Sequence, residues 1–423
     1  MAHCHELSPI LSKYLDRHLV FPLLEFLQEK GIYDEVDIYK AKLALLDKTN
    51  MVDFAMDIYK SLNNVEEVPV HMKEHRSEVV ARLRQLQHEV EPIVKCLENP
   101  AVVRNFRQDK AFNLQFLQDD FQINAQHVES LYQYARFQFE CGNYTSAADL
   151  LQSYRSLCTN SERNTSALWG KLAAEILMQE NEKAKDDIGK LRDAIDNSTF
   201  ASPLMQLQQR TWLLHWSLYV FWNHENGRTD LIDLFFSPPY LAAIQINAPH
   251  LLRYLAVAVV INKRKRAMLK ELLRTVQSEA YAYSDPITQF VECLFGEYDF
   301  DGAQQMLKEC EAVIDNDFFL TLVKAEFLEN ARLFIFETYC RIHQSVSISL
   351  LADRLNMDQE AAEKWITGLI THAKLNAKID SKSGTVVMGV QSQGIHEQLV
   401  DKAKQLSVRT FMLANTVVGS GKA

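Results

Sequence analysis

Three helical patterns and then two strand-like runs around a tight loop occupy residues 326–389, and few folds accept that order in so short a span. The first pattern, ENARLFIFETYCRIHQ, sets Leu333, Phe336 and Cys340 on one face, broadened by Phe334 and Ile335. In the second, Ser347 stands as an N-cap ahead of Ile348, Leu351, Ala352 and Leu355 at i, i+3, i+4 and i+7. The third opens at Asp358 and lines up Ala362, Trp365, Ile366, Leu369, Ile370 and Ala373 as a continuous apolar stripe. NAKID, the loop SKSG and TVVMG then spell two strands and a turn. The order is that of a winged helix. A domain this small buries little surface by itself, so its neighbours decide what it does.

What precedes it is helical. The chain of 423 residues holds only 13 Gly and 10 Pro, a balance that favours helices over a β-sandwich. Polar, Pro or Gly clusters punctuate segments of helical period. Two segments are related: Val128, Leu131, Ala135 and Phe139 lead into a turn at Gly142 and Asn143, as Ile287, Phe290, Val291 and Leu294 lead into one at Gly296. The following helices align as NYTSAADLL and DFDGAQQML. A small residue (Ala147, Ala303) lets the paired helices approach closely, and an aromatic just before it (Tyr144, Phe300) wedges the hairpin. A third copy places Ala184 in register but carries Asn181 at the wedge. These patterns predict a mainly α chain: a right-handed solenoid of tetratricopeptide-like hairpins, a winged helix, and a last helix. The expected divisions are 1–120 for an N-terminal helical region, 121–325 for the repeats, 326–389 for the winged helix and 395–418 for the terminal helix.

Charge and chemistry narrow the function. The net charge of −10 argues against a surface built to neutralise phosphates throughout. Residues 326–389 themselves hold seven Lys or Arg against eight Asp or Glu, and the third helix carries Asp358, Glu360 and Glu363 against Lys364 and Lys374, the wrong balance for entering a major groove. The one dense basic cluster, Lys263, Arg264, Lys265 and Arg266, reads as a loop between helices or as a contact for RNA or the ribosome. Seven widely spaced cysteines without a CxxC pair read as reduced thiols. The longest apolar run, Leu255–Ile261, is too short to span a bilayer, and no basic leader precedes an apolar core, so a soluble, unsecreted chain is expected.

Enzymatic motifs find little support. His71, Glu74 and His75 match H-x-x-E-H, yet the flanking charged sequence suits a solvated helix rather than a sequestered zinc. His3, Cys4 and His5 sit at a terminus that offers no rigid support for a metal. GSGKA lacks the earlier glycine and the Ser or Thr of a phosphate loop. Trp212, His215, Trp216 and Tyr219 could stack bases, but Leu213, Leu214, Val220 and Phe221 make that helix apolar all round, as a core helix is. No catalytic residue, metal or cofactor is expected.

Two surfaces are expected to meet other proteins. In the wing, Thr385–Met388 reads as an edge strand able to extend a neighbour's sheet, with Lys378, Asp380, Thr385 and Val387 at the contact. In the last helix, Leu399, Ala403, Leu406, Thr410, Leu413 and Val417 step 4, 3, 4, 3, 4, a heptad seam that packs on another helix, of this chain or of a partner.

Helical hairpins, an acidic winged helix and a terminal helix together resemble the PCI-domain proteins of the proteasome lid, the signalosome and translation initiation factor 3. LDRHLVFPLLEFL (15–27), TNMVDFAMDIYKSL (49–62), FQFECGNY (137–144), LWGKLAAEILMQ (168–179), QQRTWLLHWSLYVFWNH (208–224), DPITQFVECLF (285–295) and AKIDSKSGTVVMG (377–389) narrow the resemblance to the e-subunit family of eukaryotic translation initiation factor 3. The resemblance implies a non-catalytic, cytoplasmic scaffold, with some nuclear fraction, that helps a large complex bind the small ribosomal subunit and recruit mRNA and initiator tRNA. Implied neighbours are the PCI-containing c and l subunits, and the d subunit, with any mRNA contact indirect and no membrane. The competing readings are a scaffold of a lid-like or signalosome-like complex, and a free winged-helix regulator of nucleic acid.

Overall fold

The computed structural model describes residues 5–97, 99, 102, 104–107, 109–197, 202–343, 345–349, 352, 363–364, 366–368, 377–380, 384–388 and 395–420. They form two compact units, Met1–Glu297 with Gln305–Ala331, and Tyr298–Gln304 with Arg332–Ala423. The expected boundary at residue 120 falls inside the first unit. Val90 and Ile93 share one apolar cluster with Leu117, Leu131, Leu151 and Tyr154, so the helices on either side of that point cover each other's apolar faces.

In the first unit, α1 (Ser8–Leu11), α2 (Arg17–Glu29), α3 (Glu35–Leu46) and α4 (Val52–Asn63) lead into the long α5 (Val70–Leu97) and α6 (Lys110–Phe121). The hairpins α7 (Ala125–Glu140) with α8 (Tyr144–Leu157) and α9 (Ser161–Leu177) with α10 (Asn181–Asp196) follow. Next come α11 (Pro203–Phe221), α12 (Gly227–Phe235), α13 (Pro238–Asn247), α14 (Leu252–Ile261), α15 (Leu269–Glu279) and α16 (Pro286–Glu292); α17 (Phe300–Asp315) from residue 305 and α18 (Lys324–Ile342) up to residue 331 also belong to it, their other residues to the second unit.

The repeat is visible in the backbone. Two residues before each wedge position the chain turns left-handed: φ is +90° at Gly142, +60° at Gln179 and +58° at Tyr298. Asn143 N–H donates to Gln138 O at 2.9 Å, and Glu180 N–H to Glu175 O at 3.0 Å, the same closing bond in two hairpins. Glycine suits the first turn doubly, since a Cβ at 142 would also meet Met51 Cε at 3.2 Å. The predicted close-approach residues Ala147, Ala184 and Ala303 are all fully buried.

The N-terminal segment is bound back onto helices some 200 residues away. Tyr14 Oη donates to Asn247 O at 3.1 Å, Trp216 Nε1 donates to Tyr14 O at 3.1 Å, and Tyr219 Oη donates to Leu19 O at 2.6 Å. The Tyr14 ring stacks on His215 with centroids 4.3 Å apart. His215 Nδ1 lies 2.7 Å from Thr211 O, and its Nε2 lies 2.9 Å from His250 Nε2. A carbonyl accepts only, so His215 carries its proton on Nδ1 and His250 donates from Nε2. The bond requires a bare Nε2 on His215, and burial keeps both rings neutral near pH 7. Burial lowers His215 from 6.5 to about 4; burial, then His215 and Arg253, lowers His250 to about 3.

All ten residues of α14 are buried, including Arg253. Its Nε donates to Asp285 Oδ2 at 2.7 Å, its Nη1 to Asp317 Oδ2 at 3.2 Å, and its Nη2 to His5 O at 2.7 Å. Tyr283 and Tyr254 donate to the same two carboxylates at 2.9 and 3.0 Å. Asp285 also caps α16, its Oδ1 accepting from Thr288 N–H at 2.8 Å.

In the second unit, β1 (Ser345–Ser347), β2 (Ala377–Asp380) and β3 (Thr385–Met388) form an antiparallel sheet in the order β1-β3-β2. Gly384, with φ +62°, completes the expected loop before β3. Val386 is buried and Val387 is 40% exposed, the alternation of a one-sided sheet. The expectation that Thr385–Met388 is an edge is corrected. Thr385 pairs with Ser347 and Asp380, and Val387 with Ser345 and Lys378, so β3 is the central strand. The extra partner is three residues long, too short to show a period. The expected second and third helices lie largely outside the described residues; within them Ile348, Ala352 and Ile366 are buried, as their stripes require.

Two outcomes follow from these buried groups. Arg253→Met strands two carboxylates and should lower unfolding stability in urea by about 3–5 kcal/mol, and adding Asp317→Asn should restore part of it. The histidines, with pKa values lowered on folding, stabilise the chain fully above pH 6.5 and lose that contribution as pH falls toward about 4 and about 3. Thermal melts should therefore weaken over that window by up to about 1.4 kcal/mol per pH unit for each ring. A His215→Leu, His250→Leu variant should show a flatter profile.

Candidate protein-interaction surfaces

The terminal helix α19 (Ile395–Ser420) forms where the heptad pattern places it. Leu399, Leu406 and Leu413 are 58%, 63% and 65% exposed, so the predicted seam faces water. The Val417 side chain lies outside the described residues. Val400 and Phe411 are exposed as well, 50% and 67%. They sit roughly 100° further round the helix from the leucines, since each residue turns about that angle. A helix apolar on more than one face suits a bundle better than a simple pair.

Of the wing residues, Thr385 and Val387 lie on the central strand, whereas Lys378 and Asp380 lie on β2. Among the described residues β2 has only β3 as a partner, as does β1, so Ala377–Asp380 is one edge of the sheet and Ser345–Ser347 the other. Strand edges of this kind accept an added strand through main-chain hydrogen bonds.

The basic cluster occupies a 3-10 turn, Lys263–Met268, between α14 and α15. Lys265 Nζ is committed to Asp233 Oδ1 at 2.6 Å. The side chains of Lys263, Arg264 and Arg266 lie outside the described residues. His71, Glu74 and His75 are exposed on α5, and among the described residues no three His, Cys, Asp or Glu side chains are grouped to hold a metal. No single described helix is long and apolar enough to cross a membrane. The aromatic run lies in α11 with Leu213, Leu214 and Val220 fully buried, and Trp216 meets Trp169 edge-on at 4.8 Å, so it serves the core.

Sequence reasoning missed the buried charges. Lys171 Nζ bridges Glu175 Oε1 and Asp187 Oδ2, both at 2.6 Å, and Asp187 also pairs with Lys190 at 2.7 Å. Burial raises the Glu175 carboxyl, with Lys171 opposing it. The cluster fastens α9 to α10 within one hairpin. Its only signal was the i, i+4 spacing of Lys171 and Glu175, which surface helices show equally. Arg253 had a better one: a lone cation inside the most apolar stretch of the chain, LLRYLAVAVVI.

A model described as the eIF3 subunit 6 N terminal domain matches residues 6–138, and the PCI domain model matches residues 307–390. The E subunit of eukaryotic translation initiation factor 3 from Arabidopsis thaliana is 53% identical over 425 residues, covering 98% of this chain and 96% of the relative. The Drosophila melanogaster protein of the same name is 47% identical over 419 residues, covering 99% and 96%. Near-complete coverage at this identity takes in the helical region, the winged sheet and the terminal helix together, and it sets the lid-like, signalosome-like and free-regulator readings aside. The chain belongs to the E-subunit family of eukaryotic translation initiation factor 3.

Proposed function

We propose that this chain is a non-catalytic scaffold in the cytoplasm, holding its place in initiation factor 3 through α19 and the edge of β2. The complex so assembled acts on the small ribosomal subunit, supporting recruitment of mRNA and initiator tRNA. The observation that carries the reading is the exposure of Leu399, Leu406 and Leu413 along one helix. Burying each leucine is worth about 2 kcal/mol, enough for a handful to hold a helix in a bundle. Family resemblance supports the PCI-containing c and l subunits, with the d subunit, as the neighbours. The sheet edge at Lys378 and Asp380 would add main-chain bonding to one of them.

The basic cluster is the candidate contact for ribosomal RNA, carried by Lys263, Arg264 and Arg266, because Lys265 is already paired. This remains subordinate to the protein contacts, given the chain's net charge of −10.

Leu406→Asp with Leu413→Asp should leave the isolated chain folded, with an unchanged circular dichroism melt, while releasing it from the complex. Unaltered co-sedimentation with the rest of initiation factor 3 and the small ribosomal subunit would sink the proposal. Replacing Lys263, Arg264 and Arg266 by alanine should reduce the log–log salt dependence of ribosome binding by about two units. An unchanged slope would remove the cluster from the interface.

A further inference from the structure

The second hairpin lacks the wedge that the first one has. In the first, the Tyr144 ring lies against Phe139, five residues earlier, at 5.5 Å and against His18 at 5.8 Å, and its hydroxyl is 3.0 Å from His18 Nδ1. In the second, the corresponding residues are Asn181 and Ile176, with the same left-handed turn two positions before the wedge. Helix α2 runs past both positions, presenting His18 to Tyr144 and, one turn later, Pro22 to the space beside Asn181.

That space is a cleft of about 360 Å³, far above the roughly 15 Å³ that a single water needs. Pro22, Ile176, Leu177, Tyr219 and Phe318 form its apolar walls, while Gln179, Asn181 and Asn223 line it with amides. Gln179 and Asn223 are exposed, so the cleft opens to solvent. The Gln179 side-chain amide makes no hydrogen bond among the described residues, and Asn181 Nδ2 reaches Asn223 O only at 3.4 Å. Glu180, Glu182 and Glu225 neighbour the lining residues in sequence; Glu180 is 2.6 Å from Lys183 and Glu182 is 3.0 Å from His224 Nε2.

We propose that this cleft receives a tyrosine side chain from a partner protein, flanked in the partner's sequence by lysine or arginine. The ring takes the place that Tyr144 fills in the preceding hairpin, its hydroxyl meets the Gln179 and Asn181 amides, and the flanking cations meet the three carboxylates. An aromatic anchor in a preformed pocket is the usual centre of a protein interface. The cleft is built from other residues than α19 and the β2 edge, so the proposal stands or falls independently of them.

The full chain is titrated with acetyl-Lys-Tyr-Lys-amide, with acetyl-Lys-Leu-Lys-amide and with p-cresol, using ligand-observed NMR. So small a ligand should bind with a dissociation constant on the order of 1 mM. The tyrosine peptide should bind at least tenfold more tightly than the leucine peptide or p-cresol. Asn181→Phe fills the cleft from within and should keep or raise the melting temperature while abolishing that binding; Leu177→Trp, filling it from the wall, should do the same. Equal binding of the two peptides, p-cresol binding as tightly as the tyrosine peptide, or tyrosine-peptide binding that survives both filling variants would overturn the proposal.

Discussion

Arg253 is the point on which the first unit depends. Its guanidinium is the one charge in a fully buried helix, and it holds two carboxylates from segments more than thirty residues further along the chain and one carbonyl from the N-terminus. A charge in such a place is tolerated only when every donor has an acceptor, because the interior offers no water to replace a missing one. The network therefore specifies position more than it adds stability. It sets where α16 begins, through Asp285, and how the segment around Asp317 lies over α14. Burial pushes the Asp317 carboxyl upward, and Arg253, Tyr254 and the Phe319 amide oppose it.

The N-terminal segment uses the same logic with neutral groups. Tyr14, His215 and His250 make a stack whose two imidazoles burial keeps uncharged, and Trp216 and Tyr219 fix the adjoining backbone. Helix α2 is thereby laid across the turns of two successive hairpins. At the first it meets an aromatic wedge; at the second it helps wall an open cleft. One change of residue type within a repeat thus converts a packing position into a surface that another molecule can use, while the backbone beneath keeps its turn.

The repeat was legible because it is local. Ala147, Ala184 and Ala303 stand at fixed distances from their turns, and the left-handed residues at 142, 179 and 298 confirm the alignment even though only the first is glycine. Gln179 and Tyr298 accept a conformation that costs a side chain about 1 kcal/mol, so no glycine search would have found them. The two wing strands and the exposed heptad seam were legible for the same reason, a period of two and a period of seven. The order of the sheet was not, since β1 is three residues, SVS, whose pairing depends on what the rest of the unit brings beside it.

By itself, the sequence determined the helical hairpins, the strands of the wing, the apolar seam of the last helix, the slightly acidic balance of residues 326–389, and the family likeness. Only the tertiary structure decided that β3 is central with β1 and β2 at the edges, that Arg253 joins three distant segments, that the N-terminal helices share a core with the repeats, and that Asn181 leaves a cleft rather than a collapsed turn. The physical division is one of range. Periodicity, caps and turns are written within a dozen residues, whereas strand order, buried ion pairs and unfilled space arise from surfaces that meet across longer stretches of chain and leave little local trace.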